Sequence, residues 1–515
     1  MPDAPTPPAA PPPADDQPHS LQALKARFGD DHRWWVLFTV MIGNMAALMA
    51  ATTINVAVPA ISRQFTLGQH DAQWLATSFM GAMTISMLAT PWLLQRFGYR
   101  QCTLGLLALL GTGGAVGGLA NHLSLLLAMR MVEGLAAGVL QTMPGVIIMR
   151  AFARHEQGRA MGIFGFGTVL APAIGPSVGG VLVDLFGWRA IFYFVIPFCV
   201  VGALMARRYL PHSGPGGAPV DRHAPPPEWP SLLLLSSALV LLLNGLVQLQ
   251  GQQRSLGAGL VLGAAALMAV FVARQRRVAA PLLNVALFGV PAFRASALVA
   301  VAYGAGLFGS TYLLPLFMVV ALKLTPSSVG AVLMPAGLAL AVTIPVAGRL
   351  SDHQPLARTV LIGLSVMCAS FLVMLAVGSG TSVVWLTAWA MLGRVGLGLV
   401  IPSLNLASVR ALPTPMQAYG TSTMNFLRQL GGAIGVSLVG IVLEWRLQAG
   451  GEAAGGTLRA FHEVFVLMAV LTGLAALAAR RMRPPADPPS SASGPPPGPP
   501  PDTPPDTPPA ALPSR

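Results

Sequence analysis

The sequence predicts an all-α polytopic membrane protein, and three observations carry that reading. Of 515 residues, 54% are hydrophobic and only 10% charged, where soluble domains carry roughly 25% charged residues. The mean hydropathy is +0.65. The apolar residues gather into runs of about 20, the length a helix needs to cross a hydrocarbon core. A chain this long could have held several soluble domains; its composition excludes that.

Fourteen such runs are expected, at 34–58, 73–94, 103–121, 125–149, 160–183, 188–206, 230–248, 256–273, 295–320, 328–349, 359–378, 383–408, 420–444 and 462–480. They divide into a six-helix half (34–208), a linker (209–229), two inserted helices (230–275), a second linker (276–294) and another six-helix half (295–483). The flanking segments 1–33 and 484–515 end in low-complexity tails, with 8 prolines in 1–18 and 15 in 484–515. Such tails have nothing to bury and are expected to be disordered or polyproline II. The first apolar run is too long for a signal-peptide core and lacks a small-residue cleavage site.

An even number of spans puts both termini on one side. With both in the cytoplasm, the inside segments up to Arg483 hold 21 Lys and Arg and the outside loops hold six. That is the asymmetry expected of cytoplasmic loops. The net charge of +13 is therefore a topology signal, and no nucleic-acid patch is apparent.

The chain also repeats itself. Pro59 is echoed by Pro315, Gln95 by Asp352, Pro144 by Pro402 and Gly175 by Gly435, at offsets of 256, 257, 258 and 260. Four landmarks in order at nearly constant offset imply two duplicated halves, an architecture of secondary transporters, whose substrate sits between the repeats.

Short motifs sharpen this. APAIGPSVGG (171–180) sets Ala171, Gly175, Pro176, Gly179 and Gly180 along the fifth span; glycines let helices approach closely and proline removes a backbone hydrogen bond. ATTINVAVP (51–59), QWLATSF (73–79), GWRAIFYFVIP (187–197) and NFLRQLGGAIG (425–435) are four further blocks. Together they resemble the fourteen-span drug:proton antiporters of the major facilitator superfamily over about residues 34–480. The resemblance implies a major facilitator fold, proton-coupled export of amphiphilic small molecules, no cofactor and no enzymatic activity. It identifies 171–180 as the antiporter signature. It identifies Arg96, Gly98 and Arg100, with Gly348 and Asp352 in the second half, as gating-loop residues that latch the outward-facing state.

The departures are as informative. The family's first-span acid is Ala50 here, and the acid of its first gating loop is Gln95, which suggests a weak latch in the first half. The fourth-span motif RxxQG reads RMVEG (130–134), with Glu133 in place of glutamine. Of the 18 acidic residues, Glu133 alone is expected deep within a span. A carrier that couples to protons needs a group whose protonation follows the access state. Desolvation favours a neutral carboxyl and a neighbouring cation favours its charged form, so a buried carboxylate suits the task. Glu133 is thus the candidate coupling group, with Arg130 beside it. A permanent internal salt bridge between residues three apart is the competing reading.

Arg428 matches the arginine of the thirteenth-span motif, and Arg394 has no counterpart in these motifs. With Asn55 and Asn425 they are candidate cavity residues, though the asparagines would serve equally as interhelical hydrogen-bonding groups. Three internal arginines against one carboxylate favour neutral, zwitterionic or anionic cargo over dications. Cys102, Cys199 and Cys368 have no metal-ligand spacing, and no GxxxxGK[ST] loop for nucleotide-driven transport occurs. A membrane enzyme would need convergent catalytic groups that the spans lack, and a passive channel or sensor fits the two-half repeat poorly. The expected setting is a bacterial cytoplasmic (inner) membrane, the Ala-, Arg- and Pro-rich composition suggesting a GC-rich bacterium. The expected partners are a small-molecule substrate, protons and the bilayer. In a Gram-negative cell a periplasmic adaptor and outer-membrane channel would be added. Whether the cargo is many drugs or one metabolite stays open.

Overall fold

The computed structural model describes residues 27–29, 31–67, 69–213, 220–221, 228–250, 253–378, 380–450 and 456–482; both proline-rich tails lie outside them. Regular structure among these residues is helical. The first half comprises α1 (His32–Phe65), α2 (Gln69–Gly118), α3 (Leu123–Ala151), α4 (Gln157–Phe186), the short α5 (Ala190–Phe194) and α6 (Ile196–Tyr209). The insert is α7 (Trp229–Gln250) and α8 (Arg254–Gln275). The second half comprises α9 (Pro291–Val320), α10 (Pro326–His353), α11 (Leu356–Val373), α12 (Val383–Arg410), α13 (Gln417–Gly450) and α14 (Gly456–Ala479).

Among the described residues, twelve helices are long and apolar enough to cross a membrane, with α5 and α6 counted together. One of the twelve, α2, contains two crossings whose arms meet at Gly98, and the thirty-residue α4 adds another, which gives the fourteen expected from sequence. The loop expected between the second and third spans is reduced to Gly98 alone, whose φ of +69° and ψ of 173° break the helix. A side chain would be strained in that conformation, and a Cβ there would also run into the His212 carbonyl.

Each half has its own buried apolar cluster, one built on residues such as Phe79, Leu107 and Leu140 and the other on Phe293, Phe317 and Phe465. Two seams join the halves, α4 against α10 and α2 against α13. The repeat relates α4 to α13 and the first arm of α2 to α10, so the seams are equivalent. The insert packs on only one of them: α7 lies against α13 and α2, where Leu88 and Phe426 share a buried cluster with Leu235, Leu239 and Phe271.

Candidate transport site

Arg130 and Glu133 face the same way on α3, one turn apart, and both are 1% exposed. Glu133 is ten residues into the helix, about 15 Å at 1.5 Å per residue and so near the middle of a ~30 Å core. Arg130 Nη1 donates to Glu133 Oε2 at 2.7 Å and to the Ala50 carbonyl of α1 at 3.0 Å, while Nε donates to the Leu75 carbonyl of α2 at 3.1 Å. The guanidinium also lies over the Phe79 ring, 4.3 Å from its centroid. Its Nη2 has no hydrogen-bond partner among the described residues.

One guanidinium therefore ties three helices together at the centre of the first half. It does so at Ala50, the position where the resembled family carries its acid. Local sequence permits the approach: a Cβ on Gly134 would collide with the Phe79 carbonyl, so glycine there brings α3 onto α2. Gly114 of α2 similarly leaves Glu133 Oε1 room, at 3.3 Å from where a Cβ would stand. Two of Arg130's bonds go to backbone carbonyls, which do not titrate. The side chain thus has anchors that persist if Glu133 takes up a proton, and the pair can change charge without the arginine losing its seat.

The second half holds a different arrangement. Arg394 of α12 donates to Thr311 Oγ1 of α9 at 3.2 Å. Arg428 of α13 donates to Asn425 Oδ1 at 2.7 Å, and Asn425 Nδ2 donates to the Thr421 carbonyl of its own helix at 3.2 Å. Asn425 therefore orients Arg428 rather than bridging helices. Tyr303 of α9, fully buried, donates to the Leu397 carbonyl at 3.1 Å and lies within electrostatic reach of both arginines. Asn55 is exposed on α1 and is not brought into either cluster.

The signature 171–180 lies on α4, which runs unbroken and packs on α1. Ala171 is buried, Gly175 leaves space for Thr52 and Gly179 for Thr53, and Gly180 lies opposite Val56; Pro176 is within the helix.

The residues expected to gate are placed unequally. Asp352, expected in a loop, sits in the last turn of α10 and accepts from the backbone N–H of Gly158 (2.7 Å) and of Arg159 (2.8 Å) in the first turn of α4. Arg410 lies 3.8 Å from the same carboxylate. Gly348 meets Gly158 and Gly162 so closely that a Cβ would not fit. This is a bond across the seam, with a carboxylate at a helix N-terminus. In the first half Gln95 hydrogen-bonds Tyr419 in the first turn of α13, the equivalent place, without a charge. There the chain after α6 is added instead. Tyr99 N–H donates to the Ser213 carbonyl, Arg100 N–H to the Pro211 carbonyl and Asp221 N–H to the Gln95 carbonyl, and Arg100 Nη1 lies 3.2 Å from His212 Nε2. Arg96 stacks over Trp92 at 5.6 Å. Leu75, Phe79, Gly114, Thr311 and Tyr303 were not singled out from sequence. For Leu75 and Phe79 the motif QWLATSF was a signal, but their role is made by backbone carbonyl and ring face, which a motif does not spell out.

The Major Facilitator Superfamily family model matches residues 40–436. The chain is 28% identical over 422 residues to the multidrug resistance protein B homolog of Mycobacterium tuberculosis (strain ATCC 25618 / H37Rv), covering 80% of this chain and 77% of that protein. It is 27% identical to the riboflavin transporter RibZ of Clostridioides difficile (strain 630), covering 79% and 87%. Among solved structures it resembles the human organic anion transporter MFSD10 (TETRAN), with a TM-score of 0.62 at 17% identity over 87% of this chain and 99% of that one. With two six-helix halves, a two-helix insert and a family match across most of its length, the chain belongs to the major facilitator superfamily and is a multi-pass membrane transporter of small molecules.

Proposed function

We propose that this transporter exports amphiphilic small molecules from the cytoplasm in exchange for protons, with Glu133 as the coupling carboxylate and Arg130 as its partner. The observation that carries the proposal is the Arg130–Glu133 pair: a carboxylate 1% exposed at mid-span, bonded to a guanidinium that is independently anchored on α1 and α2. A buried guanidinium needs partners for its other N–H groups in either reading; the two carbonyl anchors also suit a partner that must stay in place while the carboxylate changes charge. Taking the arginine-rich face of Arg150, Arg154 and Arg410 as cytoplasmic, the Asp352 bond closes that face, which fits a carrier resting open to the outside. The drug-resistance name among its relatives supports a broad cargo range. The riboflavin transporter among them favours a second reading, a dedicated exporter of one metabolite.

The test is gradient-driven transport in proteoliposomes carrying wild type or Glu133→Gln. The expected result is a mutant that folds and exchanges cargo across the membrane but no longer accumulates it when a pH gradient is imposed. Normal accumulation by the mutant would reduce Arg130–Glu133 to a structural pair and rule out this coupling site.

A further inference from the structure

Arg394 and Arg428 are not explained by proton coupling. Arg394 lies eleven residues into α12 and Arg428 eleven into α13, each about 16 Å from its helix start and so near the membrane midplane. Their helices both pack on α9, and Tyr303 of α9 lies within electrostatic reach of both. Arg130, at similar depth, has a carboxylate. Arg394 and Arg428 have only neutral hydrogen-bond partners, the Thr311 hydroxyl and the Asn425 amide oxygen, and neither has a carboxylate within 4 Å among the described residues. Ionised groups at this depth are costly and ordinarily pair or face a water-filled space. Both are half-buried as whole residues, and for Arg394 the structure leaves space beside the side chain. Arg394 in particular lines a pocket between α9, α11, α12 and α14, with Ser310, Ser370 and Trp389 beside it. Its volume of about 30 Å³ is room for roughly two water-sized atoms, enough for two oxygens of a carboxylate or sulfonate, and its lining is otherwise mostly apolar, with Leu314, Met367, Phe371 and Phe465.

The geometry points to Arg394 as the anchor for an anionic group of the cargo. Arg428, which also acts electrostatically on Tyr303, adds to the positive field. Resting on the exporter reading, this names the cargo's charge: an amphiphile whose acidic head is held at Arg394 within the second half. Coupling and recognition are then divided, the titrating carboxylate in the first half and the fixed cations in the second. A fixed cation suits this task because a guanidinium does not release its proton and presents donors in a planar fork that matches a carboxylate or sulfonate.

The experiment compares two probes of matched body, 1-pyrenebutanesulfonate and 1-pyrenebutanol, by energy transfer from tryptophan to pyrene in the purified full-length protein. Wild type is expected to bind the sulfonate at least about tenfold more tightly than the alcohol. Arg394→Gln should lose that preference without changing alcohol affinity, Arg428→Gln should lose part of it, and Arg394→Lys should restore part of it. Replacing sodium chloride by sodium gluconate separates the two sources of negative charge. If sulfonate binding is unaffected, the anion is the cargo's own head. If chloride competes and stabilises wild type thermally but not Arg394→Gln, the same arginine takes a free inorganic anion, which overturns the cargo assignment. Equal affinity for both probes, unchanged in Arg394→Gln, overturns the proposal outright. Gradient-driven uptake of the alcohol together with equal affinities would leave the exporter reading standing and this inference refuted. Sulfonate preference without any driven uptake would do the reverse.

Discussion

Arg130 is held by more than its charge partner, which sets what its removal should do. Arg130→Met leaves Glu133 buried without a cation, and breaking a buried pair from one side costs about 3–5 kcal/mol. The double variant Arg130→Met/Glu133→Gln leaves no unpaired charge and should recover part of that loss. Thermal unfolding of wild type, Arg130→Met, Glu133→Gln and the double variant in detergent checks this: a double variant no more stable than Arg130→Met would mean that the backbone anchors, and not the ion pair, carry the stability. At this scale the sequence was informative wherever charge and depth suffice. Glu133 stood out because it replaces an amide and no other acid lies mid-span. Its surroundings were not legible, because Arg130 binds the carbonyls of Ala50 and Leu75, atoms every residue has. Arg394 was legible as an oddity without a partner; that its partner is Thr311 depends on how α12 packs against α9.

Helices and their ends supply the next predictions. Gly98 breaks α2. A non-glycine residue at positive φ with ψ near 180°, a region essentially confined to glycine, costs about 1–3 kcal/mol, and the His212 carbonyl leaves no room for a Cβ. Gly98→Ala should therefore lower the melting temperature by several degrees and loosen the 211–213 segment, seen as faster amide exchange at Tyr99 and Arg100. The α7–α8 hairpin is tied at its base by Glu228 and Arg274, 2.8 Å apart. The hydrogen bond from Arg274 holds the Glu228 carboxyl below its ordinary 4.5, helped by the Ser231 hydroxyl. A carboxylate depressed in the folded state stabilises fully above its unfolded value and loses that contribution as pH falls through the depressed one. Unfolding of this hairpin should thus become easier below about pH 4.5, by a small amount because the pair is exposed. Glu228→Gln should remove that part of the acid sensitivity, read as the difference between the two pH–stability curves.

Across the whole molecule, the duplicated landmarks made the two halves visible before any contact was known, and hydropathy placed the fourteen crossings. The unequal seams were only half visible. Gln95 in place of an acid announced a weaker charged tie in the first half, yet nothing in composition says that Pro211, Ser213 and Asp221 bond to the backbone around Gly98 or that α7 lies along the α2–α13 seam. Long-range pairings of this kind depend on tertiary packing, which local patterns do not encode. The closed arginine-rich face should be one end of a transport cycle. Cysteines at Arg154 and Arg410, whose residues now share a hydrogen bond between Arg410 Nη2 and the Arg154 carbonyl, should be joined by a short bis-maleimide in a background lacking Cys102, Cys199 and Cys368. Joining them should abolish transport, whereas transport that survives full cross-linking would show that this face does not need to open. The Arg130–Glu133 pair has one more consequence if Glu133 takes up the coupling proton, and it is electrical. With Glu133 ionised the pair is neutral, and the membrane potential exerts no net pull on it. With Glu133 protonated, one uncompensated positive charge sits near mid-membrane, where the potential is worth about half of the ~2.3 kcal/mol per charge per 100 mV of a full crossing. Each proton taken up would switch on a voltage sensor, and Glu133→Gln would hold that sensor permanently on.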